Sequence, residues 1–208
     1  MTDAYHLKEL AIARDSTDGR HVNPPSFPPE YRVLDVGCGA GQTLIACCGD
    51  RRSFGVDVAF DALRLGRTLT ERVSFVCAGA EDLPFRGGGF DAVIARVSLP
   101  YSDFRRSLPE IRRVLKPGGF FWAVLHPMSV QWSHIDLRKP RTLIRLAYLM
   151  LNGLLFHFTG RVVPYRRGRY ESFQTSSGIQ RALRAAGFTR ITVRRRPHFI
   201  VTAETVPD

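Results

Sequence analysis

The 208-residue chain is 44% hydrophobic, enough for one full core, which disfavours two separate domains. No apolar run follows a basic start, so no signal peptide is expected, and Cys38, Cys47, Cys48 and Cys77 lack metal-ligand spacing. They read as reduced thiols of a cytoplasmic protein. The formal charge of +11 is lopsided: residues 1–125 hold 16 Lys+Arg against 15 Asp+Glu, residues 126–208 hold 14 against 4. The second half is therefore expected to meet something anionic.

Residues 4–14 place Tyr5, Leu7, Leu10, Ala11 and Ile12 at helical spacing, and Asp18-Gly19 with Pro24-Pro25-Ser26-Phe27-Pro28-Pro29 turns the chain into an extended connector. Val33-Leu34-Asp35-Val36 reads as a buried strand. Gly37, Gly39 and Gly41 then remove every second side chain where a tight turn enters a helix, so backbone N–H groups can approach a ligand. Dinucleotides, nucleosides and phosphates all use such turns. Asp35 narrows the choice, because an acid just before the glycines repels a pyrophosphate and suits an ammonium group. The stretch resembles the first motif of the class I S-adenosylmethionine-dependent methyltransferases (the methyltransferase type 11, ubiquinone-menaquinone-like group), acid-x-Gly-x-Gly-x-Gly. The resemblance implies S-adenosyl-L-methionine as cofactor, Asp35 favouring its amine directly or through water, and Gly37, Gly39 and Gly41 giving its methionine portion room. The N-terminal helix either covers the cleft, as is common in that family, or packs elsewhere.

After a short helix around Leu44–Cys48, Ser53–Val58 reads as the second strand. It is closed by Asp57, which lies near the spacing of about 20 residues at which a strand-end acid meets ribose hydroxyls. Helix 59–70 and strand Val73–Cys77 lead to Ala78-Gly79-Ala80-Glu81-Asp82-Leu83-Pro84-Phe85. This run looks like the family's adenine-contacting motif, Gly-Asp-Ala-Glu-Asp-Leu-Pro-Phe. Gly79 stands where the family usually has an Asp that accepts from the adenine amine, so Glu81, Asp82 or water is expected to substitute, while Ala80 offers its N–H. Phe90–Arg96 is a fourth buried strand. Arg96 at its end counts with the cofactor-binding candidates, and Val97–Tyr101 leaves the ligand edge, where Tyr101 either positions substrate or only packs.

Pro109 is expected in the first turn of a helix that Pro117-Gly118-Gly119 stops, before strand Phe120–Leu125. The surrounding segment matches the family's Glu-Ile-x-Arg-Val-Leu-Lys-Pro-Gly-Gly. His126 closes the fifth strand as a candidate general base or a simple polar contact. Thr142–Phe158 is nearly all apolar but shorter than the ~20 residues that span a bilayer, so it reads as a buried or lid helix or an interfacial one with Arg-rich flanks. Ser177 and Gln180 have capping-box spacing for a helix ending at Gly187, and residues 190–194 and 199–203 read as a closing hairpin.

The alternation predicts an α/β fold: a doubly wound, mostly parallel seven-stranded sheet with a C-terminal antiparallel hairpin and a helical insertion after strand five. One domain is expected, divided into an N-terminal helix and connector (1–30), a cofactor-binding core (31–125), a substrate-lid insertion (126–173) and a closing helix and hairpin (174–208). The expected activity is in-line methyl transfer from S-adenosylmethionine, without a metal, to a small organic or lipid-like acceptor. RNA methylation through the basic half, or cofactor binding without catalysis, are the alternatives. The expected location is cytoplasmic, with contact to an anionic membrane surface or RNA open.

Overall fold

The computed structural model describes residues 3–15, 21–125, 140–165 and 170–207. Seven strands form one sheet: β1 (Val33–Val36), β2 (Ser53–Asp57), β3 (Val73–Cys77), β4 (Phe90–Arg96), β5 (Leu115–Val124), β6 (Thr189–Arg194) and β7 (Ile200–Glu204). Their order is β3-β2-β1-β4-β5-β7-β6. The first five run parallel, and β7 runs antiparallel to both β5 and β6. Because β1 connects outward to β2 while β4 lies on its other side, the strand order reverses between β1 and β4. Open sheets of this kind bind ligands at that crevice, beyond the carboxyl ends of the strands.

Helices α1 (Asp3–Arg14), α2 (Gln42–Cys47), α3 (Phe60–Leu69), α4 (Phe104–Val114), α5 (Pro140–Thr159) and α6 (Ser176–Ala185) accompany the sheet. The central strands are buried on both faces, as parallel strands between helices must be. In β4, Val93 and Ala95 join a core with Phe104, Phe121 and Phe156, while Ala92 and Ile94 join a second with Leu44, Leu63 and Trp122.

Three local readings need correction. Pro109 is the sixth residue of α4, because Asp103 caps the helix earlier, accepting from the Arg105 N–H at 3.0 Å. Pro117-Gly118-Gly119 does not precede the fifth strand but lies within it. The β4 register jumps from Phe90↔Leu115 to Ala92↔Phe120, so the extra residues are taken up as an irregularity in the strand. The cap of α6 is Thr175, whose Oγ1 accepts from the Gly178 N–H at 3.1 Å, rather than Ser177.

Asn152, the polar interruption of the apolar helix α5, is buried and acts as a clamp. Its Nδ2 donates to the carbonyls of Val163 and Glu171 at 3.1 and 2.9 Å, and its Oδ1 accepts from the Val163 N–H at 2.8 Å. One amide thus satisfies backbone groups of two passing segments. Asn152→Ala should destabilise the protein by about 1 to 3 kcal/mol in urea unfolding, since the partners stay buried and lose their bonds.

Candidate cofactor and acceptor site

A cleft of about 840 Å³ opens at the carboxyl ends of β1, β2 and β4. Its floor is the turn between β1 and α2, where Gly37, Gly39 and Gly41 have φ of +79°, +56° and +80°. The reason for glycine differs at each position. A Cβ on Gly37 would stand 2.1 Å from the Ser98 Cβ, and one on Gly41 2.8 Å from the Phe75 ring. At Gly39 the neighbours are softer, with Gln42 Oε1 at 3.1 Å and the His6 ring at 3.4 Å. Asp57 braces the turn from the next strand, its Oδ2 accepting from the Gly39 N–H and its Oδ1 from the Ala59 N–H, each at 2.8 Å.

Asp35 is fully sequestered behind this turn, and its Oδ1 has no hydrogen-bond partner. Burial pushes its carboxyl up to about 7; the Arg96 guanidinium opposes the shift and Asp57 adds to it. An orphaned buried carboxylate oxygen in a ligand cleft fits a cation supplied by the ligand. The guanidinium of Arg96 lies in the same wall, where its Nη2 donates to Glu9 Oε2 at 3.2 Å.

Glu9 belongs to α1, which settles where the opening helix goes: Tyr5, His6 and Glu9 all line the cleft. Gln42 Nε2 and His6 Nδ1 are joined at 2.8 Å, tying α1 to the first turn of α2. Behind them His21 is buried, 3.3 Å from Thr43 Oγ1, and desolvation lowers its pKa to about 4, which keeps it neutral.

The opposite wall starts at Val97, which has a φ of +61°. For a β-branched residue this is a genuine strain, of order 1 to 3 kcal/mol, and it persists because the Val97 N–H is held on the Val124 carbonyl at 2.9 Å. The kink swings Ser98 back so that its Oγ donates to the Val36 carbonyl, filling the space that Gly37 leaves. Tyr101 lines the same wall, and burial with the nearby Glu171 raises its pKa, so at neutral pH the phenol keeps its proton.

Of the expected cofactor residues, Asp35, Gly37, Gly39, Asp57, Ala80, Glu81 and Arg96 all line the cleft with Tyr101. Gly41 and Asp82 do not. Gly41 faces Phe75 beneath the turn, so its glycine serves packing, and Asp82 is turned from the cleft, where its charge acts on Arg113. His126 lies outside the described residues. Glu81 fills the space beside Gly79: its Oε2 lies 3.1 Å from where a side chain on Gly79 would begin, while its Oε1 accepts from the Asp103 N–H at 2.9 Å. Among the described residues, no side chain of α5 lines the cleft. Residues 197–199 close the wall instead. The β6–β7 turn brings Pro197, His198 and Phe199 to the ligand edge, with the Phe199 carbonyl accepting from the Leu125 N–H at 2.9 Å. Sequence reasoning missed His198. The signal was available: a strand antiparallel to β5 must begin where β5 ends.

The family model described as "Methyltransferase domain" matches residues 34–123, from β1 through most of β5. The uncharacterized methyltransferase YcgJ of Bacillus subtilis is 36% identical over 125 residues, 57% of this chain and 49% of that protein. Sterol 24-C-methyltransferase ERG6B of Gibberella zeae is 28% identical over 202 residues, 90% of this chain and 48% of that one. The solved structure of a SAM-dependent methyltransferase from Methanosarcina mazei gives a TM-score of 0.62 at 16% identity, covering 90% of this chain and 100% of that one, a likeness of fold. Residues 34–123 of this chain thus match a methyltransferase domain, and its sequence is similar to S-adenosylmethionine-dependent methyltransferases. It spans about half the length of the curated relatives it matches.

Two predictions follow from Asp35 and Gly37. The unfolded carboxyl titrates near 3.8 and the folded one near 7. The folded protein therefore holds the extra proton between these values, and stability falls as pH rises through the window, then levels off. Asp35→Asn should remove that slope in denaturant titrations from pH 4 to 8 and leave the protein more stable above pH 7. Gly37→Ala should lower the melting temperature whether or not cofactor is present, because the clash with Ser98 lies within the protein. A melting temperature equal to that of the parent would contradict this packing.

Proposed function

We propose that the protein transfers the methyl group of S-adenosylmethionine in line to a small, largely apolar organic acceptor. The observation that carries the cofactor reading is the orphaned Asp35 carboxylate oxygen beside a glycine turn braced by Asp57. When bound, S-adenosylmethionine supplies a methyl group already activated on a sulfonium, so the protein's task is to position and to exclude water. Asp35 would hold the ammonium group and Arg96 the carboxylate of the methionine end. Asp57 keeps lone pairs for the ribose hydroxyls, although both its oxygens already accept from the backbone. Glu81, folded into the space beside Gly79, would accept from the adenine amine.

The acceptor side is supported by the composition of its wall. Val97, Val124, Leu125 and Phe199 make it apolar, with Tyr101 and His198 as its polar tips. Tyr101 would orient an acceptor by donating its phenolic proton in a hydrogen bond, and His198 would receive the acceptor's proton at a ring nitrogen. Arg96 is the one guanidinium among the described lining residues and is paired with Glu9, so the cleft presents no row of cations to a phosphate backbone. That weighs against RNA as the acceptor.

Calorimetric titration with S-adenosylmethionine should show binding that tightens from about pH 5.5 to pH 7.5, because Asp35 must lose its proton to meet the ammonium group. Asp57→Ala and Glu81→Ala should each weaken it by about 1 to 3 kcal/mol. Transfer of labelled methyl to apolar hydroxyl or enol acceptors should fall at least about tenfold in kcat for His198→Asn with cofactor affinity unchanged, within the range general-base assistance spans. Labelling of RNA and of no small acceptor would replace this reading.

A further inference from the structure

Helix α5 has two apolar faces. The inner one, with Leu149, Asn152, Gly153 and Phe156, is buried. Gly153 admits the Phe173 ring, and Phe156 stacks on Phe104 at 5.1 Å between centroids. On the opposite side Ile144, Leu151, Leu154 and Phe158 are 65, 69, 54 and 63% exposed, with exposed Ala147 between them. These five positions step by three and four residues and form one stripe along the helix, which Met150 widens. A surface helix ordinarily presents charges there. Here the 20-residue helix contains no acid, and Arg145, exposed beside the stripe, is paired with Glu171.

We propose that this outer face of α5 is a docking surface for an anionic phospholipid bilayer, with the helix lying flat in the headgroup region. Charge selects this occupant over a second copy of the chain. The sequence flanking the stripe carries Arg138, Lys139 and Arg141 before it and Arg161, Arg166, Arg167 and Arg169 after it, within a half that has 14 Lys+Arg and 4 Asp+Glu. A second copy would bring a second set of the same cationic sequence to the contact, whereas an anionic surface offers the opposite charge to both flanks. Lying flat is the only membrane mode open to α5, since no helix among the described residues is long and apolar enough to cross. The surface is also well placed. Arg145 pairs with Glu171, and the adjacent Tyr170 donates to Asp103 at 3.2 Å, next to Ser102 in the cleft wall, so the first half of α5 is tied to the cleft side where Tyr5 and Tyr101 are themselves exposed. An apolar acceptor dissolved in the bilayer would thus meet the cleft directly; that last step rests on the proposed function, while the docking does not.

The test is flotation of the full chain with phosphatidylcholine vesicles, with and without about a third of phosphatidylglycerol. The anionic vesicles should carry the protein at least about tenfold better than the neutral ones, and added salt should reduce the difference. Leu151→Glu with Leu154→Glu, both on the exposed stripe, should cut vesicle binding by about tenfold or more through lost apolar insertion and added negative charge, with melting temperature and S-adenosylmethionine affinity unchanged. Three results would overturn the proposal: no binding to anionic vesicles, binding indifferent to the double substitution, or a concentration-dependent dimer in sedimentation that the substitution dissociates. None of these readouts involves methyl transfer, so the docking and the proposed activity can fail separately.

Discussion

The site depends on a close approach between two strand ends. β1 and β4 are parallel neighbours, and beyond them Gly37 and Ser98 meet so tightly that a single added carbon at residue 37 would fall 2.1 Å from its neighbour. The turn is built so that residue 37 leaves this junction to the Ser98 side chain. Val97 accepts a left-handed φ so that Ser98 can turn back, the Ser98 hydroxyl takes the otherwise exposed carbonyl of Val36, and Asp57 reaches from β2 to hold the Gly39 N–H. The turn becomes a backbone surface fastened from both sides.

Asp35 shows the other face of this arrangement. A carboxylate that is fully buried, without a partner for one oxygen and with a second acid nearby, opposes folding at neutral pH. Arg96 compensates in part, yet its own guanidinium is engaged by Glu9 from α1. The free protein thus holds three charges, on Asp35, Arg96 and Glu9, in an arrangement that is incomplete within the chain. A ligand carrying both an ammonium and a carboxylate would complete it, pairing with Asp35 and competing with Glu9 for Arg96. Stored cost of this kind is usual where a site is pre-shaped for a ligand, and a ligand that drew Arg96 from Glu9 would act on the N-terminal helix as well.

Much of this was legible in the sequence because the parallel strands are short apolar runs and the turn chemistry between them is carried by Gly and Asp. The strand-helix alternation up to β5 and the glycine turn after β1, with Asp35 and Asp57 at strand positions beside it, could be read on that basis. What escaped depended on long-range packing. Pro109 was expected in the first turn of its helix, but the start of α4 is set by Asp103, whose own N–H is bound by Glu81 22 residues earlier in the chain. Gly37 lines the cleft as expected of a ligand turn, but the contact that demands a glycine there is Ser98, 61 residues away. His198 escaped because the register of an antiparallel strand, rather than any local motif, brings it to the cleft.

The apolar segment after strand five shows how much of a pattern depends on its neighbours. Its composition predicts a buried or lid helix, or an interfacial one. The helix does cover the core, but with only one of its faces: Asn152 and Gly153, which seemed to be interruptions, are what seat it there, one by binding two passing backbones and the other by admitting the Phe173 ring. The amide of Asn152 and the bare backbone of Gly153 mark the inward side. The unbroken apolar positions, Ile144, Leu151, Leu154 and Phe158, therefore belong to the outward side. In an amphipathic helix the interruptions ordinarily face water; here the neighbouring segments pass on that side and satisfy them, so the polarity of the pattern is inverted. A sequence periodicity reports only that two faces differ, and which of them meets the core is decided by where the hydrogen-bonding partners lie.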